Sequence, residues 1–413
     1  MSMSKKKEQS YDLPEDVIVK ILCRLPVKSL IRFSCVSKRW RSIIISDPQF
    51  GKSHLEVASQ QGTLCRKVLI SIYPTIKPVK GYIPDPLEDG LPWLPSRFQS
   101  LEGYSSVSYL TLTSEEKSQR VMASCNGLVL LGESYQGYFK NLSIWNPSTG
   151  FFRKLPTPCF ARLELTKSTE DKWCINFLYY GFGQVSNTDD YKVVFIKPAP
   201  GDFVNVHVFS LGTNSWKVIK APSSSWAGCN DRQGALSNGA IHWVNYSNPI
   251  DLSHPTLVAF DLAAEEFRQV PLPVFNRNED DMREIRLQVL LGGGLCVRSV
   301  DLYEQNEFWV MREYDEPKSW VKLIEFDGYE LPDEFASCKS WDPIFVSEAG
   351  TVLIKLLDKM ELVWIECLLS AARLILHLQE EKPVCSARYR IEEYPGAIFD
   401  AIVYDETLVS VPE

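Results

Sequence analysis

Apolar and polar residues follow two different periods along this chain. Between residues 13 and 46, apolar residues recur every three or four positions, which places them on one face of a helix. From residue 120 onward, short apolar runs are separated by Gly, Asn, Asp and Pro, as in strands joined by tight turns. The pattern predicts a small helical segment followed by a much larger β domain.

The helical segment is predicted to contain three short helices. Pro14 suits the first turn of the first helix, because an N–H at that position has no partner within the helix. Pro26 ends this helix, and a second helix is expected over residues 27–33. So small a segment buries too little apolar surface to fold alone, and it must pack on the following domain or on a partner protein. The expected apolar stripes are Ile18, Ile21, Leu22 and Leu25 in the first helix, and Val36, Trp40, Ile43 and Ile44 in the third.

The β domain repeats one motif, which reads IWNPSTGFFRKLP at 144–156, VFSLGTNSWKVIKAP at 208–222 and AFDLAAEEFRQVPLP at 259–273. In each copy an aromatic residue is followed by another seven positions later. That spacing predicts a hairpin of two strands in which the two aromatic residues face each other. A fourth copy, at 308–323, has a turn about two residues longer. The three aromatic pairs are Trp145 with Phe152, Phe209 with Trp216, and Phe260 with Phe267.

The spacing of the copies indicates a propeller. Phe209, Phe260 and Met311 are 51 residues apart in each case, and Trp364 follows 53 residues later. A period near 50 with about four short strands per unit is typical of propeller blades. The stretch 366–391 lacks Gly, Asn and Asp and has a helical pattern, which leaves open whether the last blade closes.

Charge divides the chain in the same way as the hydrophobic pattern. The net charge is −8, from 44 Lys and Arg against 52 Asp and Glu; residues 1–60 carry +5 (11 against 6), which leaves −13 on the remainder. An acidic larger part argues against nucleic acid as a ligand, since a phosphate backbone requires a basic surface. The acidic surface either selects a basic protein substrate or only keeps the chain in solution, and the sequence leaves both interpretations open.

No sequence feature points to a membrane, a metal site or an enzyme. The longest apolar run, from Leu362 to Leu378, contains Glu366 and Arg373 and is too short to cross a bilayer. The 11 cysteines include no CxxC pair, and no secretory signal is recognised, which favours the cytosol or the nucleus. The five histidines form no HExxH motif, and GxSxG and phosphate-loop motifs are missing. We therefore expect no catalytic residue, no metal and no cofactor.

Two stretches resemble a known family. LPEDVIVKILCRLPVKSLIRFSCVSKRWRSII resembles an F-box, the motif by which substrate receptors dock onto the Skp-type adaptor of SCF (Skp–cullin–F-box) ubiquitin ligases. NGL, IWNPSTGFFRKLP, GAIHWV and FDAIVYDETLVS resemble the F-box-associated, kelch-like domain of plant F-box proteins, which include S-locus and defence-related members. This resemblance implies an α+β multidomain chain: a small three-helix F-box, then an all-β propeller-like domain that captures a protein for ubiquitination.

The resemblance and the helical period together define the expected organisation. Residues 1–10 are expected to be disordered, 11–50 to form the F-box, 51–119 to connect the domains and supply a first blade, and 120–413 to form the substrate-binding domain. The alternative is a non-catalytic binding module that acts outside a ligase. Predicted adaptor contacts are Leu13, Pro14, Ile18, Leu22, Leu25, Pro26, Val27, Leu30, Val36 and Trp40, whereas substrate contacts are unassigned. Aromatic residues expected in loops, where they either bind protein or pack on blade edges, are Trp226, Tyr246, Tyr303, Tyr329 and Trp341.

Overall fold

A computed structural model describes the chain in the ranges given at the end of this paragraph. The predicted disorder of residues 1–10 lies outside the described residues, as do Trp226, Tyr303 and Tyr329. The described ranges are 13–74, 97–102, 106–110, 119–135, 138–157, 179–186, 188–198, 203–222, 233–246, 255–275, 284–290, 293–300, 305–327, 341–356, 359–367, 384–391 and 397–410.

Helices occupy the first part of the described chain. They are α1 (Glu15–Leu22), α2 (Val27–Phe33), α3 (Lys38–Arg41), which a π-helical turn (Ser42–Ser46) continues, and α4 (Pro48–Gln60). Ser37 caps α3 by accepting the N–H of Trp40 at 3.1 Å. The bounds of α2 confirm the predicted second helix. The expected stripe of the third helix is wrong at Val36, which precedes α3 and is 67% exposed, whereas Ile43 and Ile44 are buried.

The strands form six antiparallel sheets of four strands each, which are the six blades of a propeller. Blade one contains β1 (Arg66–Pro74), β2 (Arg97–Glu102), β3 (Ser106–Leu110) and β24 (Ala397–Asp405). Blades two and three contain β4 (Gln119–Cys125), β5 (Leu128–Tyr135), β6 (Tyr138–Trp145), β7 (Phe152–Lys154), β8 (Tyr179–Gln184), β9 (Tyr191–Pro198), β10 (Phe203–Ser210) and β11 (Ser215–Pro222). Blade four contains β12 (Ala235–Ser237), β13 (Ala240–Tyr246), β14 (Pro255–Asp261) and β15 (Phe267–Val270). Blades five and six contain β16 (Glu284–Val289), β17 (Leu295–Val300), β18 (Gln305–Met311), β19 (Trp320–Asp327), β20 (Trp341–Val346), β21 (Thr351–Leu356), β22 (Glu361–Glu366) and β23 (Val384–Arg390).

The blades close into a ring because the last strand joins the first blade. Strand β24 pairs with β1 along its whole length, from Arg66 opposite Asp405 to Pro74 opposite Ala397. The innermost strands contact one another in turn, from β4 through β8, β12, β16, β20 and β24 back to β4. The last blade is complete, since β22 pairs with β23, and residues 368–383 between them lie outside the described part. The predicted propeller class is confirmed, and the ring has six blades.

The repeated motif forms the third and fourth strands of the blades. Trp145 lies opposite Phe152, Phe209 opposite Trp216 and Phe260 opposite Phe267, which confirms the three predicted pairs. The ring centroids of the last two pairs are 5.1 and 4.9 Å apart. In the fourth copy Met311 pairs with Trp320, nine positions on, across the longer turn.

The basic residue and the proline of the motif connect neighbouring blades. The indole N–H of Trp216 donates to the carbonyl of Pro156 in blade two at 2.8 Å, and the indole N–H of Trp320 donates to that of Pro271 in blade four at 2.9 Å. Arg268 pairs with Asp315 in the next blade at 2.8 Å. The motif is therefore repeated because each copy forms a hairpin and also attaches it to the adjacent blade.

A buried histidine lies at the contact between blades four and five. His242 is fully buried, and its Nδ1–H donates to the carbonyl of Ala235 at 3.2 Å while Tyr314 donates its hydroxyl to Nε2 at 2.7 Å. Arg268 donates to the same hydroxyl at 2.6 Å. Burial, with a further contribution from the positive charge of Arg268, lowers the pKa of His242 to about 4. The imidazole is thus held neutral in the folded protein.

We expect the propeller to lose stability as the pH falls from about 6.5 toward 4, because His242 protonates more readily when the chain is unfolded. Above pH 6.5 the contribution is fully present, and at pH 5 the lower folded pKa costs about 2 kcal/mol of the free energy of unfolding. The measurement is urea unfolding at pH 7.5 and pH 5.0 for the wild type and for His242→Gln. The variant should show a smaller difference between the two pH values, and an equal difference would contradict the assignment.

Candidate adaptor-binding face

The interior of the F-box is formed by its own helices together with one residue from the far end of the chain. Leu22, Val27 and Leu30 are 1%, 4% and 0% exposed, so these three predicted adaptor contacts lie inside the core rather than on the surface. The buried residues of this core are Leu22, Cys23, Val27, Leu30, Ile43, Ile44, Phe50 and Leu408. The small F-box thus gains apolar area from the C-terminal segment, which answers the question of how it reaches a sufficient core.

The other predicted adaptor contacts reach the surface to different degrees. Leu13 and Val36 are 55% and 67% exposed, and Pro14 and Pro26 are also exposed. Ile18, Leu25 and Trp40 are half-buried and pack against the F-box core from outside. The structure therefore leaves seven of the ten predicted residues wholly or partly accessible.

Two exposed apolar residues were missing from the prediction. Ile21 is 49% exposed and Ile45 is 40% exposed; periodicity placed Ile21 on the apolar stripe of α1 but did not assign it to the adaptor contacts. Together with Leu13 and Val36 they form a set that we call the exposed apolar set. Single exposed apolar residues are ordinary, but here four large ones lie within 33 residues of sequence (13 to 45), on one small helical segment. Their exposure depends on how the helices pack, so the sequence alone could not have identified them.

Trp40 contributes both to the packing of the F-box and to its surface. Its ring meets Phe33 edge to face, with centroids 5.5 Å apart and planes inclined by 77°. That geometry is favourable for aromatic pairs and fixes α3 against α2. The rest of the ring remains accessible, since the residue is only half-buried.

The segment that carries these exposed apolar residues is basic. Residues 13–60 contain eight Lys and Arg against four Asp and Glu, a net charge of +4. Arg39 pairs with Glu15 at 3.2 Å, but both side chains are largely exposed, so this ion pair contributes little to stability. The exposed basic residues are Lys20, Arg24, Lys28, Arg32, Lys38, Arg39 and Arg41. A partner that covers the exposed apolar set would fit best with an acidic rim.

Helix α4 attaches the F-box to one end of the propeller ring. His54 uses its Nε2 atom to bond the carbonyl of Leu25 at 2.8 Å, which connects α4 to the segment between α1 and α2. On its other side, Lys52 pairs with Asp189 in the turn between β8 and β9, and Leu55 packs against the core of blades two and three. We call this the F-box end of the ring, and the opposite end the far end. Each innermost strand begins at the far end and finishes at the F-box end.

Ion pairs lie at the beginning of the innermost strands, at the far end. Arg120 in β4 pairs with Asp400 in β24 at 2.8 Å, and Tyr73 donates its hydroxyl to the same carboxylate oxygen at 2.7 Å. Arg286 in β16 pairs with Asp342 in β20 at 3.0 Å. The side chains of both pairs are between 21% and 39% exposed. The innermost strands are thus linked electrostatically at this end, and the charged groups keep access to solvent.

Strands that end at the far end are followed by the longer gaps between described strands. At the F-box end, the turns between two described strands have eight residues or fewer, as at 126–127, 146–151 and 312–319. The exception is the stretch 367–383 between β22 and β23. Strands β1, β7 and β11 end at the far end, and in the sequence they are separated from the next described strand by residues 75–96, 155–178 and 223–234. In ring-shaped scaffolds, long connections are where binding residues are concentrated.

Two aromatic residues that were expected in loops lie in strands instead. Tyr246 is buried at the end of β13, where its hydroxyl accepts the N–H of Ile285 at 2.6 Å and donates to the carbonyl of that residue at 3.0 Å. Trp341 begins β20 and lies under the guanidinium of Arg298 at 4.0 Å. Both residues pack between blades, so the interpretation as blade-edge packing is correct for them.

Among the described residues, no helix is long and apolar enough to span a membrane.

Residues 11–50 match the F-box domain, and residues 97–407 match the F-box associated beta propeller domain. F-box protein CPR1 of Arabidopsis thaliana is 29% identical over 376 residues, which cover 86% of this chain and 82% of the relative. An F-box/kelch-repeat protein of the same plant is 28% identical over 354 residues, or 84% of this chain and 85% of the relative.

Solved structures resemble the chain only weakly. The SapL1 lectin, solved with alpha methyl fucoside, is 8% identical, with 72% of this chain and 89% of the lectin covered at a TM-score of 0.37. That similarity is too low to carry information on function. The two family matches, by contrast, cover the F-box and most of the propeller. The chain belongs to the F-box proteins that carry an F-box associated beta propeller domain.

Proposed function

We propose that this protein is the substrate-recognition subunit of an SCF ubiquitin ligase, in which the F-box binds the Skp-type adaptor and the propeller binds a protein substrate. The observation that carries the proposal is the F-box match over residues 11–50 together with the exposed apolar set on that same segment. The set has no partner within the described chain that buries it. An adaptor protein with an apolar surface and acidic rim is the occupant that its chemistry fits.

The adaptor contact rests on accessible residues supported by buried ones. Leu13, Pro14, Pro26 and Val36 contact the adaptor directly, joined by the missed Ile21 and Ile45, while Ile18, Leu25 and Trp40 contribute their exposed edges. Leu22, Val27 and Leu30 act from within, because they hold the helices in the arrangement that exposes the others. Binding energy in such interfaces is concentrated in a few apolar and aromatic residues.

The mechanism is positional and needs no catalytic group. The propeller holds a substrate near the ubiquitin-charged enzyme that the cullin and RING subunits carry, so the local concentration of the substrate lysine rises. In this mechanism the chain is a non-catalytic subunit that requires no metal or cofactor and works in the cytosol or nucleus.

The substrate is proposed to bind at the far end of the ring. That end is remote from the adaptor surface and carries the accessible ion pairs around Asp400 and Asp342, and strands that end there are followed in the sequence by long gaps before the next described strand. The chain after residue 60 has a net charge of −13, which favours a protein with a basic surface over nucleic acid or an anionic membrane.

Affinity purification of the full-length chain from plant tissue, with the proteasome inhibited, tests the proposal. We expect the adaptor and a cullin to be recovered, together with substrates that accumulate when degradation is blocked. A non-catalytic binding module outside a ligase would instead recover partner proteins without adaptor or cullin. Recovery of neither ligase subunit from the full-length chain would refute the proposed function.

A further inference from the structure

The C-terminal segment Thr407–Val409 lies between the F-box and the propeller. Thr407 is 0% exposed and faces the turns of blade two, and Val409 is 1% exposed within the core shared by blades two and three. Leu408, between them, points the other way into the F-box core. The alternation is that of an extended chain, whose successive side chains point to opposite sides.

Asn146 of the IWNPSTG motif holds this segment with its side-chain amide. The Nδ2 group donates to the carbonyls of Thr407 at 3.1 Å and of Val409 at 2.8 Å. The Oδ1 atom accepts the N–H of Ser148 at 2.8 Å and so stabilises the motif turn. Asn146 is completely buried, so both ends of its amide are fully used, one for the turn and one for the C-terminal segment.

The other copies of the motif show that the turn by itself needs only an acceptor. Asp261 occupies the equivalent position in blade four, and its Oδ1 accepts the N–H groups of Ala263 and Ala264, both at 2.8 Å. Ser210 occupies it in blade three and accepts the N–H of Thr213 at 3.1 Å. An aspartate or serine therefore suffices for the turn, and the donor of Asn146 serves the C-terminal segment.

Two glycines allow the chain to approach this segment closely. Gly127 has a φ of +80°, and a Cβ atom there would collide with the hydroxyl of Thr407. On the F-box side, a Cβ atom at Gly51 of α4 would lie 2.8 Å from the carbonyl oxygen of Leu408. Helix α4 and the Asn126–Gly127 turn thus enclose the segment from opposite sides, and Thr407 donates its hydroxyl to the carbonyl of Asn126 at 2.9 Å.

We infer that Thr407–Val409 is a clasp that fixes the F-box on the propeller, with Asn146 as the residue that positions it. The clasp connects the innermost strand of blade one, the motif turn of blade two and the core of the F-box in five consecutive residues, 405–409. It determines the distance and angle between the adaptor surface and the far end of the ring. Given the proposed function, which this consequence requires, the clasp determines which substrate lysines reach the charged enzyme.

Hydrogen–deuterium exchange of the full chain tests the clasp without any partner. Asn146→Asp keeps the acceptor for Ser148 and replaces the donor by a carboxylate that faces two carbonyl oxygens. We expect amide exchange in residues 405–410 and in α4 to rise at least about tenfold. Asp261→Asn is the matched control, because it makes the same exchange of groups in reverse at the equivalent position, and it should leave these peptides unchanged.

The other side of the contact provides a second variant. Thr407→Val keeps the shape of the side chain and removes the hydroxyl that donates to Asn126 and accepts the N–H of Val409 at 3.3 Å. If Asn146→Asp also raises exchange in β5 and β6, blade two itself is disturbed and Thr407→Val decides the question. Wild-type exchange of α4 and of residues 405–410 in Thr407→Val, or in an Asn146→Asp protein with intact blade two, would overturn the inference.

Ubiquitin transfer within a reconstituted ligase provides a functional readout. Clasp variants should still bind the adaptor. The set of lysines of this chain, the proposed substrate receptor, that become modified with ubiquitin should broaden, as mapped by mass spectrometry. If amide exchange rises in the variants but the set of modified lysines stays the same, the clasp does not determine which lysines reach the charged enzyme. If the wild type does not bind the adaptor, the proposed function fails while the exchange experiment still decides on the clasp.

Discussion

Replacing Val36 by aspartate is expected to lower the affinity for the Skp-type adaptor at least about 100-fold, while the chain folds normally. Val36 is 67% exposed and takes no part in the F-box core, so the carboxylate stays hydrated in the free protein. On binding, it would enter an apolar contact without a partner, and the loss of its hydration would cost about 3 kcal/mol. Isothermal titration calorimetry with the purified adaptor measures the effect.

Val274→Asp is the matched control for this experiment. Val274 follows β15 on the propeller and is 83% exposed, so the same substitution changes the net charge equally at a place away from the F-box. Its affinity for the adaptor should equal that of the wild type. Equal affinities of the Val36→Asp and wild-type proteins would place Val36 outside the adaptor contact.

Replacing Leu408 by aspartate should unfold the F-box although this residue is 358 positions beyond the end of the F-box match at residue 50. Leu408 is 5% exposed among Leu22, Leu30 and Phe50, so an unpaired carboxylate there loses its hydration without compensation. We expect the F-box to lose about 4 kcal/mol of stability, enough to unfold a segment with so small a core. The helical circular dichroism signal and adaptor binding should both be lost.

The blades provide the internal control for Leu408→Asp. Amide exchange in β9, β13 and β17 should remain slow, because the six-bladed ring closes through β24 and not through Leu408. Val384→Asp, at a position that is 62% exposed in β23, should leave both the helices and the adaptor affinity intact. A folded, adaptor-binding Leu408→Asp protein would show that the F-box does not depend on the C-terminal segment for its core.

The fold could be predicted largely because its determinants are local. The aromatic pairs of the motif, such as Phe209 and Trp216, depend on a hairpin of fixed length, and the period of 51 residues reflects one blade. Pro14 and Pro26 likewise indicated where α1 begins and where the chain passes from α1 to α2. The closure of the ring was not predictable in this way, because β24 pairs with β1 across more than 300 residues and no local pattern specifies that pairing.

The exposure of the proposed adaptor contacts could be predicted less well, because exposure depends on contacts between distant segments. Periodicity separates an apolar side of a helix from a polar one, but it does not show which apolar residues face a core and which face a partner. Leu30 became core because Leu408 and Phe50 cover it, whereas Ile21 on the predicted stripe remained exposed. Likewise, the second role of Asn146 requires knowledge of where the C-terminal segment lies.

Direct binding of the purified full-length chain to the purified Skp-type adaptor tests the central claim, that the F-box surface of this protein is an adaptor-binding face. Calorimetry should give a one-to-one complex that the wild type and Val274→Asp form equally and that Val36→Asp fails to form at the same concentrations. Absence of binding by the folded wild type would contradict the account. So would wild-type affinity for the adaptor in both the Val36→Asp variant and a second variant at an exposed position, Ile21→Asp.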